Sequence, residues 1–504
     1  MKPGPSLSAQ VTAAAWREDL NGFRTGPAPA GQGAFNQLDP DPGTDEDPVK
    51  TLEAILGAPV PEHLAAELAS ARTGLAYARA RAETRNRHIA AYAARTGTGS
   101  LAELVAACTR DADTTARLLE TLATDGHQLH PCARTRLGWN PRDLERYDLE
   151  TTRPIRIRLV ADRSGVLARS GTDFRDHPML KDLDLPDPVV PVHPWQLEHR
   201  VLTAHRDLFT TGRLAVLDQT VPAWPTAAIR TLAGHRAPGF LKLALGIHIT
   251  STRRDISPAT AMLAPYLSEH LADLDETHRF VADTAGTWLP HSRDLTAIAR
   301  APLAAAVPAG TVCVPSTALA APSPVTGRSL AAEYADWSGD PDAWLRSYTN
   351  LFVPPVLAKA AMGIGLEAHL QNSLVAMRGH EPVAALTRDL GGARLHVPSV
   401  PFAIDLPEGS PVNAASMDQV RSKVAYTLFH NHLAALAAVL ERDCGIDAAA
   451  YWADLADRIA GLDLPAADRD HYLAPQQPTK ALLTMRLHPG DEIETRVDNP
   501  MARP

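Results

Sequence analysis

Residues 227–250 read AAIRTLAGHRAPGFLKLALGIHIT, and this stretch decides which kind of fold the chain adopts at its centre. Two apolar runs flank a turn rich in glycine and proline, which is the pattern of a β-hairpin whose turn centres near Arg236. Pairing about that centre sets Arg230 opposite Lys242 on one face of the ladder. Two cations directly across a ladder repel each other, so the pair predicts either a bound anion between them or two side chains that both reach solvent.

The face that carries this pair continues along the second strand. At a period of two residues it brings in His248 and Thr250, and Arg253 and Arg254 follow. Of the 49 lysines and arginines in the chain only seven are lysines, yet Lys242 remains a lysine inside an apolar strand. An ammonium is not interchangeable with a guanidinium at a tight phosphate site. We therefore predict a phosphate or carboxylate cradle here, with a solvent-facing cationic strand pair as the alternative.

A second hairpin places hard oxygen ligands together. Residues 367–372 read EAHLQN, and two short apolar runs joined by the turn RGHEP lead to Arg388 and Asp389. The midpoint between Asn372 and Asp389 falls inside the turn, so an antiparallel hairpin brings these two side chains side by side at its open end. A carboxylate beside an amide oxygen suits Mg²⁺ that carries nucleotide phosphates. The alternative for His369 and its neighbours is a helix surface or a core histidine with its hydrogen bonds satisfied.

A third cluster combines histidine with arginine. Residues 126–139 read GHQLHPCARTRLGW and place His127, His130, Arg134 and Arg136 close together. No third ligand follows the two histidines at a zinc spacing, so the cluster suits an anionic substrate better than a metal. The alternative is a junction between domains that is shaped by proline and glycine.

Two further stretches carry weaker signals. Residues 189–196, VVPVHPWQ, predict a buried strand that runs into a helix started by Pro194, with His193 near its N-cap. Residues 479–487, TKALLTMRL, predict a short strand or helix led by Lys480, for which an ordinary core element is the simplest interpretation.

The composition limits the class of protein. With 504 residues, of which 45% are hydrophobic and 21% charged, the chain is long enough for several globular domains. Its net charge is −9 and it has no basic block, which argues against nucleic acid as a partner. The four cysteines form no CxxC pair, and the sequence shows neither a signal peptide nor a membrane span. We therefore expect a cytoplasmic protein.

The predicted elements change character along the chain. Residues 1–50, rich in glycine, proline and aspartate, are expected to form a loosely ordered lead-in, followed by helices over 61–95 and 100–126. The centre predicts short strands over 155–160, 189–192, 227–232 and 240–250. After Trp337 the patterns predict helices over 342–352 and 356–362, a hairpin over 373–387 and a long helix over 424–442. This order indicates an α+β fold.

Together, six motifs resemble the NRPS-independent siderophore (NIS) synthetases, the IucA/IucC-like family. The motifs are GHQLHPCARTRLGW, VPVHPWQ, PTAAIRTL, the run from Lys242 to Arg254, EAHLQN with the later RD, and TKALLTMRL followed by Asn499-Pro500. Their order and spacing match from about residue 120 to the end of the sequence. Each motif is weak alone, but six in order are a strong joint signal.

The resemblance implies a three-domain fold likened to a cupped hand. It comprises a short helical thumb over 1–125, a β-rich fingers domain with the phosphate-binding hairpin over 126–345, and a palm over 346–504 with the Mg²⁺–nucleotide motif and C-terminal helices. It also implies a homodimer that uses ATP and Mg²⁺ to adenylate a carboxylate of citrate, succinate or a derivative. Pyrophosphate leaves, and an amine or hydroxyl captures the acyl-adenylate as an amide or ester.

The resemblance also assigns roles to residues of this sequence. The catalytic residues are His369, Arg254 and Lys242. The ATP and phosphate contacts are Arg230, Lys242, Thr250, Ser251, Arg254, His369 and Gln371. The metal ligands are Glu367, Asn372 and Asp389. Substrate binding falls to His127, His130, Arg134, Arg136 and Lys480, and the general base stays open.

The sequence departs from the family pattern at several positions. Ala228 stands where many relatives have serine, Gln128, Arg134 and Trp139 replace the usual proline, lysine and phenylalanine, and the thumb is short. Two alternatives therefore remain: a kinase-like or acyl-phosphate ligase that releases ADP, and a degenerate relative that binds nucleotide without catalysis.

Overall fold

The computed structural model describes residues 4–25, 29, 31–39, 46–107, 111–250, 252–274, 277–407, 409–490 and 492–503. The N-terminal part is helical. Its helices are α1 (Leu7–Glu18), α2 (Pro48–Leu56), α3 (Glu62–Thr96), α4 (Leu101–Ala106), α5 (Ala112–Glu120) and α6 (Pro141–Tyr147). The long helix α3 begins directly after Pro61 and ends at Gly97, which adopts the left-handed conformation, so the predicted helix over 61–95 is confirmed.

The N-terminal segment differs from its prediction. We expected a loosely ordered lead-in over 1–50, but α1 is a capped helix whose Ser6 side chain accepts a hydrogen bond from the Ala9 amide. Val11 and Ala15 on its inner face are fully buried, in a cluster that also contains Leu483 near the other end of the sequence. No periodic pattern near α1 predicted its packing against Leu483, because the two segments are more than 400 residues apart in the sequence.

The central part is built on strands. Its elements are β1 (Ile155–Asp162), β2 (Ala168–Gly171), β3 (Val189–Val192), α7 (Pro194–Gln196), α8 (Leu202–Ala204), α9 (Arg206–Thr210), β4 (Leu214–Pro225), β5 (Thr231–Gly234), β6 (Phe240–Leu243), β7 (Leu245–Ile249), β8 (Thr252–Arg254), α10 (Pro258–Ala272), β9 (His278–Phe280), β10 (Asp283–Trp288) and β11 (Thr296–Arg300). Eight strands form one antiparallel sheet in the order β2-β10-β11-β6-β5-β4-β1-β3.

The hairpin of residues 227–250 forms, with a one-residue correction. Lys242 lies opposite Thr231, and the Leu243 amide donates to the Arg230 carbonyl at 2.9 Å, so Arg230 precedes the paired strand β5. The predicted strand over 240–250 is interrupted at Ala244, whose amide bonds to Thr296 in the neighbouring strand. As a result β7 leaves the large sheet and pairs with β8, and His248 and Thr250 do not continue the face of Lys242.

The C-terminal part combines helices with a smaller sheet. Its elements are β12 (Val312–Pro315), α11 (Ser316–Leu319), α12 (Leu330–Ser338), α13 (Pro341–Ala361), β13 (Ile364–Gly365), β14 (Ser373–Arg378), β15 (Glu381–Thr387), β16 (Arg394–Leu395), α14 (Met417–Val424), α15 (Ala434–Cys444), α16 (Ala448–Gly461), α17 (Ala466–Leu473), β17 (Gln476–Lys480), α18 (Thr484–Leu487) and β18 (Glu494–Asp498). The strand order β12-β14-β15-β9 ties this part to the central one.

Three predicted elements of the C-terminal part form with changes. The two helices expected over 342–352 and 356–362 are one helix, α13, which continues through Pro354 and Pro355. The hairpin of β14 and β15 is confirmed, with Gly379 and His380 in its turn. The long helix over 424–442 is confirmed within a run from α14 to α15, and its middle, Ala425–Leu433, is a π-helix.

Two large hydrophobic clusters hold these layers together. One lies among α10 and the C-terminal helices and includes Tyr348, Phe352 and Phe429. The other lies against the eight-stranded sheet and includes Ile157, Trp195 and Leu241. Among the described residues, no helix is both long and apolar enough to cross a bilayer.

Candidate active site

The centre of the site is an ion pair between the two hairpins identified in the sequence. Lys242 on β6 is only 2% exposed, and its Nζ lies 2.5 Å from Oδ1 of Asp389, just beyond β15. Burial raises the pKa of Asp389, but Lys242, Arg300 and Arg230 outweigh it and hold that pKa well below its ordinary value. The anion that the cationic hairpin required is thus supplied by the protein itself.

Three arginines complete the positive side. Arg230 donates from NH1 to the carbonyls of Arg254 and Asp255, at 2.9 and 2.7 Å. Arg300 pairs with Asp283 at 2.6 Å and lies 3.9 Å from Asp389. Burial and the charge of Arg230 lower the pKa of Arg254 to about 10. The pKa values of Arg230 and Arg254 are thus both lowered, mainly by burial. An anion bound beside these guanidinium groups would stabilise their charged forms.

Backbone strain is concentrated at the same place. Ile229, Thr250 and Asp389 have φ of 64°, 63° and 66°, a left-handed conformation that is costly for residues other than glycine, above all for β-branched ones. Ile229 directly precedes Arg230, Thr250 accepts a hydrogen bond from Arg254, and Asp389 is the carboxylate that pairs with Lys242. Strain of this kind persists where surrounding contacts fix the backbone, and it is concentrated at functional sites.

A second ion pair lies beside the first. Glu367 Oε1 is 2.5 Å from Nζ of Lys423, whose side chain is 9% exposed. Burial raises the pKa of Glu367, but Lys423 and His369 outweigh this effect and bring it to about 2. Glu367 is therefore ionised at neutral pH, as a metal ligand must be.

His369 is neutral in this environment. Burial lowers its pKa, and the opposing effect of Glu367 does not restore it. Its Nδ1 accepts the backbone N–H of Asn372 at 3.3 Å, so the ring proton belongs on Nε2, which lies 3.9 Å from Glu367 Oε2. His369 thus presents an N–H donor on the side of the carboxylates.

The residues predicted to bind metal are brought together and suit Mg²⁺ chemically. Asn372 donates from Nδ2 to the Glu367 carbonyl and carboxylate at 3.2 and 3.4 Å. A Cβ added to Gly392 would collide with the Glu367 carboxylate, and one added to Gly391 would lie 3.6 Å from Asp389 Oδ1. The two carboxylates therefore flank a pair of side-chain-free residues, and two carboxylates with an amide form the hard-oxygen donor set that Mg²⁺ prefers.

The hairpin register differs by one residue from the prediction. A bulge between Ala376 and Met377 shifts the pairing, so that the Arg388 amide donates to the Asn372 carbonyl at 3.0 Å. Asp389 is thus one residue beyond the position opposite Asn372. Asn372 therefore lies opposite Arg388 and not Asp389, while Glu367 bonds to Asn372 and its charge acts on the same group of residues as Asp389.

Buried contacts hold these segments in place. Arg388 donates to the Gln371 carbonyl and pairs with Glu120 at 2.6 Å, while the other oxygen of Glu120 accepts the Ala227 amide at 2.6 Å. From the π-helix, Thr427 donates to the Leu366 carbonyl and His432 bonds to the Ala368 carbonyl. π-helical turns occur frequently at functional sites, and this one supports both residues that flank Glu367.

The histidine and arginine cluster divides into two groups. Burial, with smaller contributions from His369, Arg17 and Arg254, lowers the pKa of His127 to about 3, and its Nε2 lies 3.2 Å from Nδ2 of Asn431. Arg134 and Arg136 are instead buried in ion pairs with Asp148 and Glu150. Their guanidinium groups are used within the protein, an arrangement that favours the structural junction over a substrate contact.

The remaining predicted residues lie at the margin of the site or outside the described residues. Lys480 on β17 pairs with Glu492 at 3.2 Å. Burial is the main cause that lowers the pKa of Lys423; Glu367 opposes this effect, and the charge of Lys480 adds to it. Thr250 Oγ1 accepts from Arg254 at 3.4 Å. Ser251, expected near the phosphates, lies outside the described residues.

Two residues of this site were missed by sequence reasoning. Lys423 was not singled out from the sequence, although the scarcity of lysine that drew attention to Lys242 applies equally to it. Arg300 has no such signal, because the sequence contains many arginines and its two carboxylate partners belong to different elements.

Two family models match parts of the chain. A family model described as "IucA / IucC family" matches residues 115–321, and one described as "Ferric iron reductase FhuF-like transporter" matches residues 342–495.

Named relatives are synthetases and ligases. Staphyloferrin A synthase of Staphylococcus aureus is 24% identical over 439 residues, which cover 78% of this chain and 74% of that protein. D-ornithine–citrate ligase of the same organism is 24% identical over 375 residues, 63% of this chain and 56% of that protein. The second alignment thus spans little more than half of its relative.

Solved structures show the same fold. The petrobactin biosynthesis protein AsbB of Bacillus anthracis matches with a TM-score of 0.80 at 17% identity, covering 98% of this chain and 95% of that one. ATP-bound aerobactin synthetase IucA of Klebsiella pneumoniae matches with a TM-score of 0.73 at 19% identity, covering 90% and 86%.

Fold and relatives together identify a ligase of siderophore biosynthesis with an α+β fold. The match to the IucA/IucC family extends over residues 115–321, and together with the named relatives it supports an IucA/IucC-like NIS synthetase.

Proposed function

We propose that this protein is an ATP-dependent synthetase that adenylates a carboxylate of citrate, succinate or a derivative. An amine or hydroxyl then captures the acyl-adenylate, so that an amide or ester forms and AMP and pyrophosphate leave. The observation that carries the proposal is the convergence of buried cations on two ionised carboxylates, Asp389 and Glu367. A carboxylate attacking an α-phosphate brings several anions together, and such a site supplies positive charge where charge develops.

In this proposal one group of residues binds the phosphates and another binds the metal ion. Lys242, Arg230 and Arg254 are the cations placed to bind phosphate oxygens. Glu367, Asn372 and Asp389 would hold Mg²⁺, which neutralises phosphate charge when bound. The proposal rests on the donor set and on the low pKa of both carboxylates.

His369 serves as a donor in this proposal. Its Nδ1 is occupied by a backbone N–H and its neutral ring carries the proton on Nε2, so it can hydrogen-bond an anion without first gaining a proton. A general base would need the opposite arrangement. The proton of the amine is then taken by another group.

The names of relatives support the substrate classes. D-ornithine–citrate ligase and citryl-spermidine/3,4-dihydroxybenzoyl-citryl-spermidine:spermidine ligase are named for joining citrate or citryl compounds to amines. We propose a small carboxylic acid and an amine, including amines that carry a hydroxamate, as the substrates here. A cytoplasmic homodimer is part of the same proposal.

The decisive experiment follows the nucleotide product. The protein is incubated with ATP, Mg²⁺, one acid (citrate or succinate) and one diamine or hydroxylated diamine, and AMP, ADP and pyrophosphate are quantified. We expect AMP and pyrophosphate in equal amounts, dependent on the acid. Release of ADP would instead support the kinase-like alternative.

The Asp389→Asn variant tests the site itself. Asparagine tolerates the left-handed backbone of residue 389, so the charge is removed without added backbone strain. We expect turnover to fall by at least about 100-fold, the upper range for residues that support a metal site. The matched change at exposed Asp218, Asp218→Asn, is the control. Full turnover by a folded Asp389→Asn protein would contradict the assignment.

A further inference from the structure

Arg17, near the end of α1, is a buried guanidinium with unused hydrogen-bonding capacity. It is 2% exposed, and its NH2 donates to the Lys480 carbonyl at 3.1 Å. Its Nε and NH1 have no hydrogen-bond partner within the described residues. Buried charged groups are costly unless they are fully hydrogen-bonded, so two orphaned donors on one guanidinium require an explanation.

The neighbouring Glu18 does not supply it. Its carboxylate is 3.8 Å from Arg17 and accepts instead from the amides of Leu483 and Thr484, at 2.8 Å each, and from the Thr484 hydroxyl at 2.9 Å. Glu18 thus attaches α1 to the C-terminal segment. The bond from Arg17 to Lys480 adds to that attachment, but it uses only one N–H group of the guanidinium.

The contacts around Arg17 lead to the candidate active site. The strand that receives its hydrogen bond carries Thr479, whose hydroxyl contacts His430, and the adjacent Asn431 bonds to His127 at 3.2 Å. The charge of Arg17 contributes to the pKa of His127, His130 and Tyr426. The charges of Arg254 or Glu367 contribute to the same pKa values. A chain of contacting residues thus joins Arg17 to the region around His127, one of the residues predicted to bind substrate.

A second orphaned donor lies in that region. His130 is 1% exposed, and its Nδ1 accepts the Cys132 amide at 3.0 Å, so the proton of the neutral ring is on Nε2. This Nε2 also lacks a partner among the described residues. The second N–H of the Arg17 Nη2 group can pair with either partnerless nitrogen, and with the imidazole N–H of His130 it suits one carboxylate ligand, since arginine binds carboxylates through two parallel hydrogen bonds.

We propose that Arg17 binds a carboxylate of the acid substrate other than the one that is adenylated, so that α1 forms part of the acid site and selects polycarboxylic acids. This inference rests on the proposed function. The reacting carboxylate lies at Lys242 and Arg254, and a second carboxylate on the same molecule reaches Arg17. An acid with only one carboxylate leaves the Arg17 fork unsatisfied and binds more weakly.

The test compares Arg17→Gln and Arg17→Lys with the wild type. Three quantities are measured: kcat/KM for citrate, succinate and butyrate from pyrophosphate release, the Kd for ATP, and Tm. In Arg17→Gln we expect kcat/KM for citrate to fall about 10- to 100-fold, as for a lost hydrogen bond to a charged group. For butyrate it should change less than about twofold. The Kd for ATP should stay the same.

A purely structural role predicts a different pattern. If Arg17 only held α1 in place, its loss would lower Tm and weaken ATP and all three acids together. Because Glu18 secures the helix, we expect Tm to change by no more than about 2 °C. Arg17→Lys keeps the charge but loses the planar guanidinium, so its kcat/KM for citrate should lie between those of the wild type and Arg17→Gln. If Arg17→Gln does not fold, the comparison of Arg17→Lys with the wild type provides the test. Arg24, whose NH2 donates to the Arg496 carbonyl at the surface, provides the matched control, Arg24→Gln.

The outcomes separate the two proposals. If the wild type releases no pyrophosphate with any acid, the proposed function fails, and this inference fails with it. If the wild type is active and a folded Arg17 variant keeps the preference for citrate over butyrate, only the role of Arg17 is overturned.

Discussion

Each of the two carboxylates assigned to the metal is held by one buried lysine, Asp389 by Lys242 and Glu367 by Lys423, both at 2.5 Å. An ammonium and a metal ion compete for the same carboxylate oxygens. If Mg²⁺ binds here as we propose, these lysines must rearrange, and their charges then become available to phosphate. A lysine can make this exchange because it is a point charge on a flexible chain.

The absence of a side chain at residue 392 leads to a test of the metal site. A Cβ there would meet the carboxylate of Glu367, the far end of a flexible side chain, so the fold should tolerate Gly392→Ala with a Tm change of about 2 °C or less. The displaced Glu367 would bind metal less well. We expect the Mg²⁺ concentration for half-maximal pyrophosphate release to rise about tenfold or more.

The control for this substitution is Gly461→Ala, because a Cβ at Gly461 meets nothing within 4 Å. An unchanged Mg²⁺ dependence in a folded Gly392→Ala protein would remove Glu367 from the metal site.

At the residue scale, the sequence predicted those site residues that have local signals. Lys242 is unusual within its own strand, and Asn372 and Asp389 are related by the symmetry of one hairpin. Arg17 and Lys423 act through partners that are distant in sequence, Lys480 and Glu367, so nothing near them indicated their roles. Positions of this kind are defined only once the chain has folded.

At the scale of elements, α5 fixes the two hairpins relative to each other. Glu120 at its end is 1% exposed and bonds both to Ala227, before the strained Ile229, and to Arg388, beside Asp389. One carboxylate thus sets the distance between the predicted phosphate side and the predicted metal side of the site.

Breaking this link should destabilise the protein strongly. In Glu120→Ala the Arg388 guanidinium stays buried without its counter-charge, which costs about 3 to 5 kcal/mol. Equilibrium unfolding in urea measures the loss. The double variant Glu120→Ala/Arg388→Met should lose clearly less than the two single variants added together, whereas strict additivity would show that the pair is not coupled.

Sequence patterns predicted the main strands but not their registers. Both hairpins formed, yet each is shifted by one residue, through the bulge at Met377 in one and the position of the turn in the other. Such shifts depend on how strands pack on their neighbours, as when Ala244 bonds to Thr296 and ends β6. Period-two patterns identify faces but carry no information about these contacts.

At the scale of the whole molecule, many histidines are buried in the neutral form. Burial lowers the pKa to about 3 in His127, His193, His430 and His432. In the unfolded chain a histidine has a pKa of about 6.5. Their contribution to stability is therefore complete above pH 6.5 and is lost as the pH falls, when the unfolded chain takes up protons that the folded one refuses. Glu367, with its pKa lowered to about 2, acts in the same direction below pH 4.5.

We expect the free energy of unfolding to fall steeply between pH 6 and pH 4. Each of these histidines adds a slope of up to about 1.4 kcal/mol per pH unit. In His193→Asn the asparagine side chain can still accept the hydrogen bond from the Trp195 amide. The loss of packing lowers the free energy of unfolding at pH 8, but the dependence of this free energy on pH should become less steep by the contribution of one histidine. Urea unfolding at several pH values measures it, with exposed His88→Asn as control. An unchanged slope in His193→Asn would contradict the neutral state of that ring.

The attachment of α1 to the strand at Lys480 also has a consequence during protein synthesis. The two residues joined by the hydrogen bond from Arg17 are 463 positions apart. At about 5 to 20 residues per second, a ribosome needs roughly 25 to 100 s to bridge that interval. For this time the nascent α1 lacks β17 as a docking partner, and the acid site proposed at Arg17 is unfinished. Catalytic competence would then arise only after β17 has emerged and packed against a helix made long before it.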